Sequence, residues 1–309
     1  MSIKLHVVIV TYNRLEKLQK TLCCYAKQTV KPQEIIVINN HSTDDTETFL
    51  ENWKHNADNF KKTIITTERN IGGAGGFALG MQQAIEHNAD WIWISDDDAY
   101  PAHNAIELTT SYCTKFSNEA SCICGTVLHQ GGIDIDHRRI SKGIIIKTPV
   151  KVSKEDYTKE YIEIDESTFV GSCFKANVVK DVGLPLKDYF IYFDDTEFCH
   201  RIRKLGKIIL VPKIEITHDT VTYSQQNNVI ATWKDYYLVR NHVNMLKRHQ
   251  TISHIAYCLK KIYNAFHFFM KHHNITILEM NLSAINDGMN NKLGLHHIYK
   301  PGFEVKTKN

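Results

Sequence analysis

The sequence predicts an α/β protein: a doubly wound, mainly parallel sheet followed by a helical C-terminal extension. Two observations carry this. Over the first hundred residues, apolar strand-like runs alternate with segments of helical spacing. Toward the end of the chain, by contrast, apolar residues recur only at helical intervals. The expected division is 1–222 for the α/β domain and 223–309 for the helical region.

Leu5–Val10 reads as the first strand, and Leu15 to Ala26 as a helix with Leu15, Leu18, Leu22 and Tyr25 on one face. Glu34–Ile38 is a buried strand. Thr46–Trp53 is a helix with Ser42, Thr43 and Asp44 as candidate N-caps. Thr63–Thr67, a helix from Gly76 to His87, and Trp91–Ser95 complete a βαβαβαβ series, which implies parallel strands joined by crossovers. Further strands are expected at Ser121–Leu128, Ile140–Pro149, Ser167–Val170 and Lys207–Val211. Short helices are expected from Asn177 to Val182 and from Asp194 towards Leu205. Ile252, Ile255, Ala256, Leu259, Ile262, Tyr263, Phe266 and Met270 mark a long amphipathic helix with Lys260, Lys261, Asn264, His267 and Lys271 between them, and Lys300 to Asn309 reads as a polar tail.

Polar residues gather after each of the first four strands: Thr11 to Arg14, Asn39 to Asp44, Arg69-Asn70 with Gly72-Gly73-Ala74-Gly75-Gly76, and Asp96-Asp97-Asp98. A doubly wound sheet binds ligands beyond the carboxyl ends of its strands, so four such endings on one edge make a pocket where one would be a turn. The glycine run is neither GxGxxG nor a P-loop. It does allow close backbone approach to a bulky ligand, and the helix that follows can offer amides to phosphate. Three consecutive carboxylates repel one another and call for a counter-charge. In an extended segment Asp96 and Asp98 would face one ion, and His218 could add a nitrogen; two carboxylates with an imidazole suit Mn²⁺, whereas Mg²⁺ prefers oxygen and water. Asp194, Asp195 and Glu197 form a second acidic group at a helix start, where they can cap amides or supply a general base. A cation beside a diphosphate and a separate base suit displacement at a sugar's anomeric carbon.

Bulk composition narrows the classes. The 309 residues are 43% hydrophobic and 23% charged, ordinary for a globular protein, and the net charge of +3 gives no support to nucleic-acid binding. The eight cysteines lack CxxC spacing and fit reduced thiols in a cytoplasmic protein. The opening apolar run is too short and too interrupted for a signal sequence, and no run reaches the roughly 18 residues of a membrane span.

Taken in order, Val8-Ile9-Val10-Thr11-Tyr12-Asn13-Arg14, Asn40-His41-Ser42-Thr43-Asp44, Asn70-Ile71-Gly72-Gly73-Ala74-Gly75-Gly76, Asp96-Asp97-Asp98 and Phe193-Asp194-Asp195-Thr196-Glu197-Phe198 resemble family 2 glycosyltransferases over residues 3 to 220. Within that family the chain is most similar to bacterial galactofuranosyltransferases, then to rhamnosyltransferases. The resemblance implies the GT-A fold, with a Rossmann-like nucleotide half and an acceptor half. It also implies metal-dependent inverting transfer of a sugar, such as galactofuranose from UDP-galactofuranose, to a hydroxyl of a growing bacterial surface glycan. It assigns Asp96, Asp98 and His218 to Mn²⁺ or Mg²⁺ and Asp195 to the catalytic base. Thr11, Tyr12, Arg14, Asn39, Asn40, Asp44, Arg69, Asn70, Gly73 and Asp97 fall on the donor side, and Gly171, Ser172, Phe193, Asp194 and Glu197 on the acceptor side. Asn39 stands where many relatives carry Asp; an amide both donates and accepts, so it bears on nucleobase selection. The expected partners are a nucleotide-sugar donor and a lipid-linked glycan acceptor, with peripheral contact to the inner membrane face or to a second copy through the C-terminal helices. A sugar nucleotidyltransferase and a non-catalytic nucleotide- or glycan-binding module are the alternatives from other classes.

Overall fold

The structure, a computed structural model, describes residues 3–142, 148–220, 229–249 and 253–306. The expected boundary at 222, part of the Ile140–Pro149 strand, Ile252 and the last three residues of the tail lie outside them.

The strands are β1 (Leu5–Thr11), β2 (Glu34–Asn39), β3 (Lys61–Thr66), β4 (Trp91–Asp96), β5 (Ala99–Pro101), β6 (Ala120–His129), β7 (Gly132–Ile133), β8 (Arg138–Lys142), β9 (Thr148–Lys151), β10 (Ile162–Ile164), β11 (Glu166–Ser167), β12 (Ser172–Lys175), β13 (Lys207–His218), β14 (Val229–Thr232) and β15 (Glu304–Lys306). The helices are α1 (Leu15–Ala26), α2 (Thr46–Lys54), α3 (Gly72–Glu86), α4 (Ala105–Lys115), α5 (Ala176–Val182), α6 (Asp194–Ile202), α7 (Trp233–His249), α8 (Ser253–His272) and α9 (Ile275–Met289).

The main sheet runs β10-β13-β6-β12-β4-β1-β2-β3. Strands β3, β2, β1 and β4 are parallel, and β12 enters antiparallel between β4 and β6. Successive residues of a strand face opposite sides, and the core follows that alternation. Val7, Ile9, Ile35, Val37 and Trp93 pack under α1, α2 and α4, with Leu18, Tyr25, Leu50 and Ile106. Val8, Val10, Ile36, Ile38, Ile92 and Ile94 pack under α3 and α6, with Phe77, Met81 and Phe198. Parallel register puts Thr11 beside Asn39 and Asn39 beside Thr66, so the polar strand ends share one edge.

The chain forms two compact units. One holds residues 3–71, 76–185 and 198–220, and so the sheet; the other holds 72–75, 186–197 and the C-terminal helices. In the second unit α7, α8 and α9 close around Tyr236, Tyr237, Val243, Met280 and Ala284.

Four expectations are corrected. The stretch expected as the strand Ser167–Val170 is strand only at its start, because β11 spans Glu166–Ser167. Strand β13 runs to His218 rather than ending at Val211, since Ile214 and Ile216 keep alternating inward past Pro212. Helix α3 starts at Gly72, not Gly76. Part of the polar tail, β15, pairs antiparallel with β14, so the C-terminal region is not purely helical.

Candidate active site

Strand β4 ends at Asp96, and Asp97 and Asp98 form the turn into β5. Asp98 is therefore not on an extended segment, as expected from the sequence; the turn itself brings it round. Strand β5 pairs with the end of β13 and aligns Ala99 with His218, while Asp219 N donates to Asp98 O (2.9 Å). A residue more than a hundred positions away is thus held against the acidic turn. Ligand atoms of Asp96, Asp98 and His218 all lie within 4.8 Å of one another. His218 Nε2 is 3.2 Å from Asp98 Oδ1 and 3.9 Å from Asp96 Oδ2.

Cations crowd the other side of the triplet. Arg14 Nη1 donates to Asp97 Oδ1 (3.2 Å) and Asp98 Oδ2 (2.9 Å), and Lys17 Nζ lies 3.4 Å from Asp98 Oδ2. Lys17 also donates to the carbonyl of Asp219. Thr11 Oγ1 donates to Asp97 Oδ2 (2.9 Å), and Thr21 Oγ1 to Asp97 O (2.7 Å). Lys17 was not foreseen, although its place in the first turn of α1, three residues after Arg14, is legible in the sequence. His129 and His137 were also missed: His129 Nδ1 lies 3.1 Å from His218 O, and the His137 ring meets the His218 ring edge-on at 5.5 Å.

Burial pushes Asp96 up, and pushes Asp97 up to about 6, against the pull of His218 on the first and Arg14 on the second. Burial acts on Asp98 too, but His218, Arg14 and Lys17 outweigh it and hold that carboxyl below its usual range. His218 is raised, because Asp98 and Asp96 overcome its own burial. Among the described residues the buried Asp98 Oδ1 has no hydrogen bond, and His218 Nε2 stands 3.2 Å from it. Hard oxygens, one imidazole and an unsatisfied buried carboxylate oxygen are a donor set that fits a divalent cation.

The remaining donor-side residues cluster along the same strand edge. Asn39 is buried; its Oδ1 accepts from Ser42 N (3.0 Å), so the amide closes the turn after β2. Asn40 Nδ2 donates to Asn70 Oδ1 (3.1 Å), while Asn40 Oδ1 accepts from Ile71 N (2.9 Å). Asp44 Oδ1 accepts from Thr46 N (3.2 Å) at the start of α2. Tyr12 and Arg69 are exposed.

The glycines of the run differ in purpose. A Cβ on Gly76 would strike Val10, so this glycine seats α3 on the sheet. Gly72 has φ +76°, and a Cβ there would stand 2.1 Å from Phe190 O. At Gly73 a Cβ would meet nothing within 4 Å among the described residues.

The second acidic group opens α6. Asp195 Oδ1 accepts from Thr196 N (2.6 Å), and Glu197 Oε1 lies 3.0 Å from His249 Nε2. The approach to Asp194 is unusual: Phe190, Tyr192 and Phe193 all have positive φ, a conformation bulky residues rarely adopt. Helix α7 holds it. Asn241 Nδ2 donates to the carbonyls of Tyr189, Ile191 and Tyr192 (2.9, 2.8 and 3.0 Å), and Arg240 Nη2 to those of Asp188 and Tyr189 (3.2 and 3.0 Å). Phe193 stacks on His242 at 4.5 Å.

The residues expected on the acceptor side are largely buried. Ser172 is fully buried, with its hydroxyl between Ser167 Oγ (2.6 Å) and Thr168 O (2.7 Å), and Gly171 leaves room for Ile216. Asp194 and Glu197 are buried as well.

The sequence profile of Glycosyl transferase family 2 matches residues 6–176, more than half of the chain. The chain belongs to glycosyl transferase family 2. Among relatives of this transferase, the galactofuranosyltransferase GlfT1 of Mycolicibacterium smegmatis is 28% identical over 209 residues. That match covers 64% of this chain and 65% of the relative. The dTDP-rhamnosyl transferase RfbF of Shigella flexneri is 26% identical over 257 residues, 80% of this chain and 81% of the relative. Among solved structures, S. aureus TarS in complex with UDP-GlcNAc aligns with a TM-score of 0.59 at 13% identity, covering 93% of this chain and 81% of that one. GalNAc-T7 with UDP, GalNAc and Mn²⁺ aligns with a TM-score of 0.62 at 14% identity, covering 93% and 56%. The transferase has the GT-A fold of these enzymes, and its acidic triplet runs from the end of the fourth strand into the turn that follows. Family membership weighs against the nucleotidyltransferase and binding-module alternatives.

Proposed function

We propose that this transferase moves galactofuranose from UDP-galactofuranose to a hydroxyl of a bacterial surface glycan, with a divalent cation and inversion at the anomeric carbon. The observation that carries the metal-dependent reading is the convergence of Asp96, Asp98 and His218, with Asp98 Oδ1 left without a hydrogen bond among the described residues. The likeness to a galactofuranosyltransferase at 28% identity supports the donor sugar.

In this reading Thr11, Tyr12, Arg14, Asn39, Asn40 and Asp44 line the uridine and ribose side, and Arg69, Asn70 and Gly73 the diphosphate side. Asp96, Asp98 and His218 would hold the cation, which when bound neutralises charge building on the departing diphosphate. Asp195 removes the proton of the acceptor hydroxyl. The freed oxygen lone pair forms a bond to the anomeric carbon as the bond from that carbon to the diphosphate oxygen breaks. UDP departs with that electron pair, and attack from the opposite face inverts the centre. The acceptor is a lipid-linked glycan.

Asp195→Asn keeps the size of the side chain and removes its basicity. Transfer should fall by about 10²–10⁴-fold, the range for loss of a general base, while UDP affinity stays within twofold by calorimetry. A variant that transfers at the normal rate removes Asp195 from this role. A donor screen under Mn²⁺ settles the sugar. Turnover of dTDP-rhamnose instead would favour the second reading, suggested by the 26% identity to a rhamnosyl transferase over 257 residues.

A further inference from the structure

Helix α8 carries a surface that sugar transfer does not explain. Its twenty residues present Cys258, with Tyr257 and Ile262, to the helical core, and Ala265 is buried as well. A different face carries Ile255, Leu259, Tyr263, Phe266 and Met270, spaced four, four, three and four residues apart, which places them in one line along the whole helix. Each of the five is more than half exposed, and Tyr263 reaches 68%. Exposed large apolar residues are ordinary when scattered; a continuous line of them marks a contact surface.

The charge pattern identifies what the surface contacts. Helix α8 contains Lys260, Lys261 and Lys271 and no Asp or Glu. Lys260 and Lys271 are exposed, each one residue beyond a member of the apolar line. Tyr263, Asn264, His267 and Lys271 line a shallow groove beside that line, offering a phosphate-sized anion cationic, amide and phenolic donors. A second copy of α8 would oppose lysines with lysines, with no carboxylate on either helix to meet them. An anionic surface with an apolar interior complements both features at once.

We propose that α8 docks flat on an anionic phospholipid surface, with the Ile255–Met270 line among the acyl chains and Lys260 and Lys271 at the headgroup phosphates. No helix among the described residues is long and apolar enough to cross a membrane, so the contact is one of lying on the surface. The inference does not depend on the donor sugar or on Asp195.

The test is cosedimentation of the full chain with phosphatidylcholine vesicles, with and without phosphatidylglycerol, in the absence of donor and acceptor. The chain should pellet with the phosphatidylglycerol vesicles and remain largely in solution with phosphatidylcholine alone. Leu259→Asp with Phe266→Asp should abolish pelleting. Lys260→Glu with Lys271→Glu should weaken binding to the anionic vesicles by about tenfold or more, since each lysine near such a surface adds roughly 1 kcal/mol. All four side chains are exposed, so melting temperature and UDP binding should be unchanged. Failure to pellet, or pelleting untouched by either pair of substitutions, overturns the proposal. So does a concentration-dependent dimer that the apolar pair dissolves, which would assign the face to a second copy.

Discussion

At Gly72 the backbone leaves no alternative residue. Its φ of +76° lies where a Cβ costs roughly 1–2 kcal/mol, and the Cβ would also meet Phe190 O at 2.1 Å. Neighbouring Ala74 donates its N–H to the same carbonyl (3.2 Å), so Phe190 O cannot withdraw without breaking that bond. Gly73 sits in the same helix turn with open space around its Cβ position, and alanine there improves helix propensity by up to about 1 kcal/mol. The two positions therefore separate packing from ligand approach. Gly72→Ala should destabilise the chain by about 2 kcal/mol or more. Gly73→Ala should leave stability unchanged or slightly higher while weakening UDP binding, if a diphosphate passes over that backbone. Denaturant midpoints and UDP titrations of both variants check this. Normal UDP affinity in Gly73→Ala would detach this glycine from the donor.

Among the elements, the βα repeats were legible because strand and helix periods differ so clearly. Leu5–Thr11, interrupted only by His6 before its polar end, and Trp91–Asp96, apolar through Ile94, are mainly apolar runs, and α1 was expected over the residues it occupies. The far end of β13 was not, since Pro212, Lys213 and Glu215 interrupt the run while Ile214 and Ile216 continue the inward alternation. The left-handed backbone at Phe190, Tyr192 and Phe193 was illegible for a different reason. Aromatic residues do not ask for that conformation; Asn241, about fifty residues on in α7, imposes it. The same part of α7 carries a consequence for pH. His242 lies between the rings of Phe193 and Tyr257, at 4.5 and 4.2 Å. Burial pushes it down to about 4, with Lys261 adding to the effect. A folded value below the unfolded ~6.5 means the unfolded chain takes up the proton first. Stability from neutral His242 is thus complete above pH ~6.5 and is lost as pH falls towards 4, on the order of 3 kcal/mol in all. His242→Phe keeps the stack and cannot be protonated. Between pH 7 and 5 the wild type should lose about 2 kcal/mol more than this variant in urea unfolding. Parallel losses in the two chains would show that His242 is not the group responsible.

For the molecule as a whole, charge balance links metal, nucleotide and stability. The acidic turn holds three carboxylates against Arg14, Lys17 and His218, and burial, the main cause of the rise of Asp96 and Asp97, leaves negative charge there with a deficit of solvation. A diphosphate arriving alone adds negative charge to that deficit, and Arg14 and Lys17 are engaged with Asp97 and Asp98. The net charge of +3 over the whole chain does not relieve a local surplus, because exposed charges beyond about 8–10 Å are screened at ordinary salt. UDP should therefore stabilise the fold only together with a divalent cation. At a ligand concentration of about 100 times Kd the gain is about 2.7 kcal/mol, a rise in melting temperature of roughly 5 °C for a chain of this size. UDP with a chelator should give little or no rise, and Mn²⁺ alone a smaller one. Asp98→Asn removes a carboxylate that meets His218, Arg14 and Lys17, so it should abolish the difference between UDP with Mn²⁺ and UDP with chelator. Equal stabilisation by UDP in both conditions would mean that Arg14 and Lys17 turn from the carboxylates to the diphosphate, and that the acidic turn does not hold a cation for the donor.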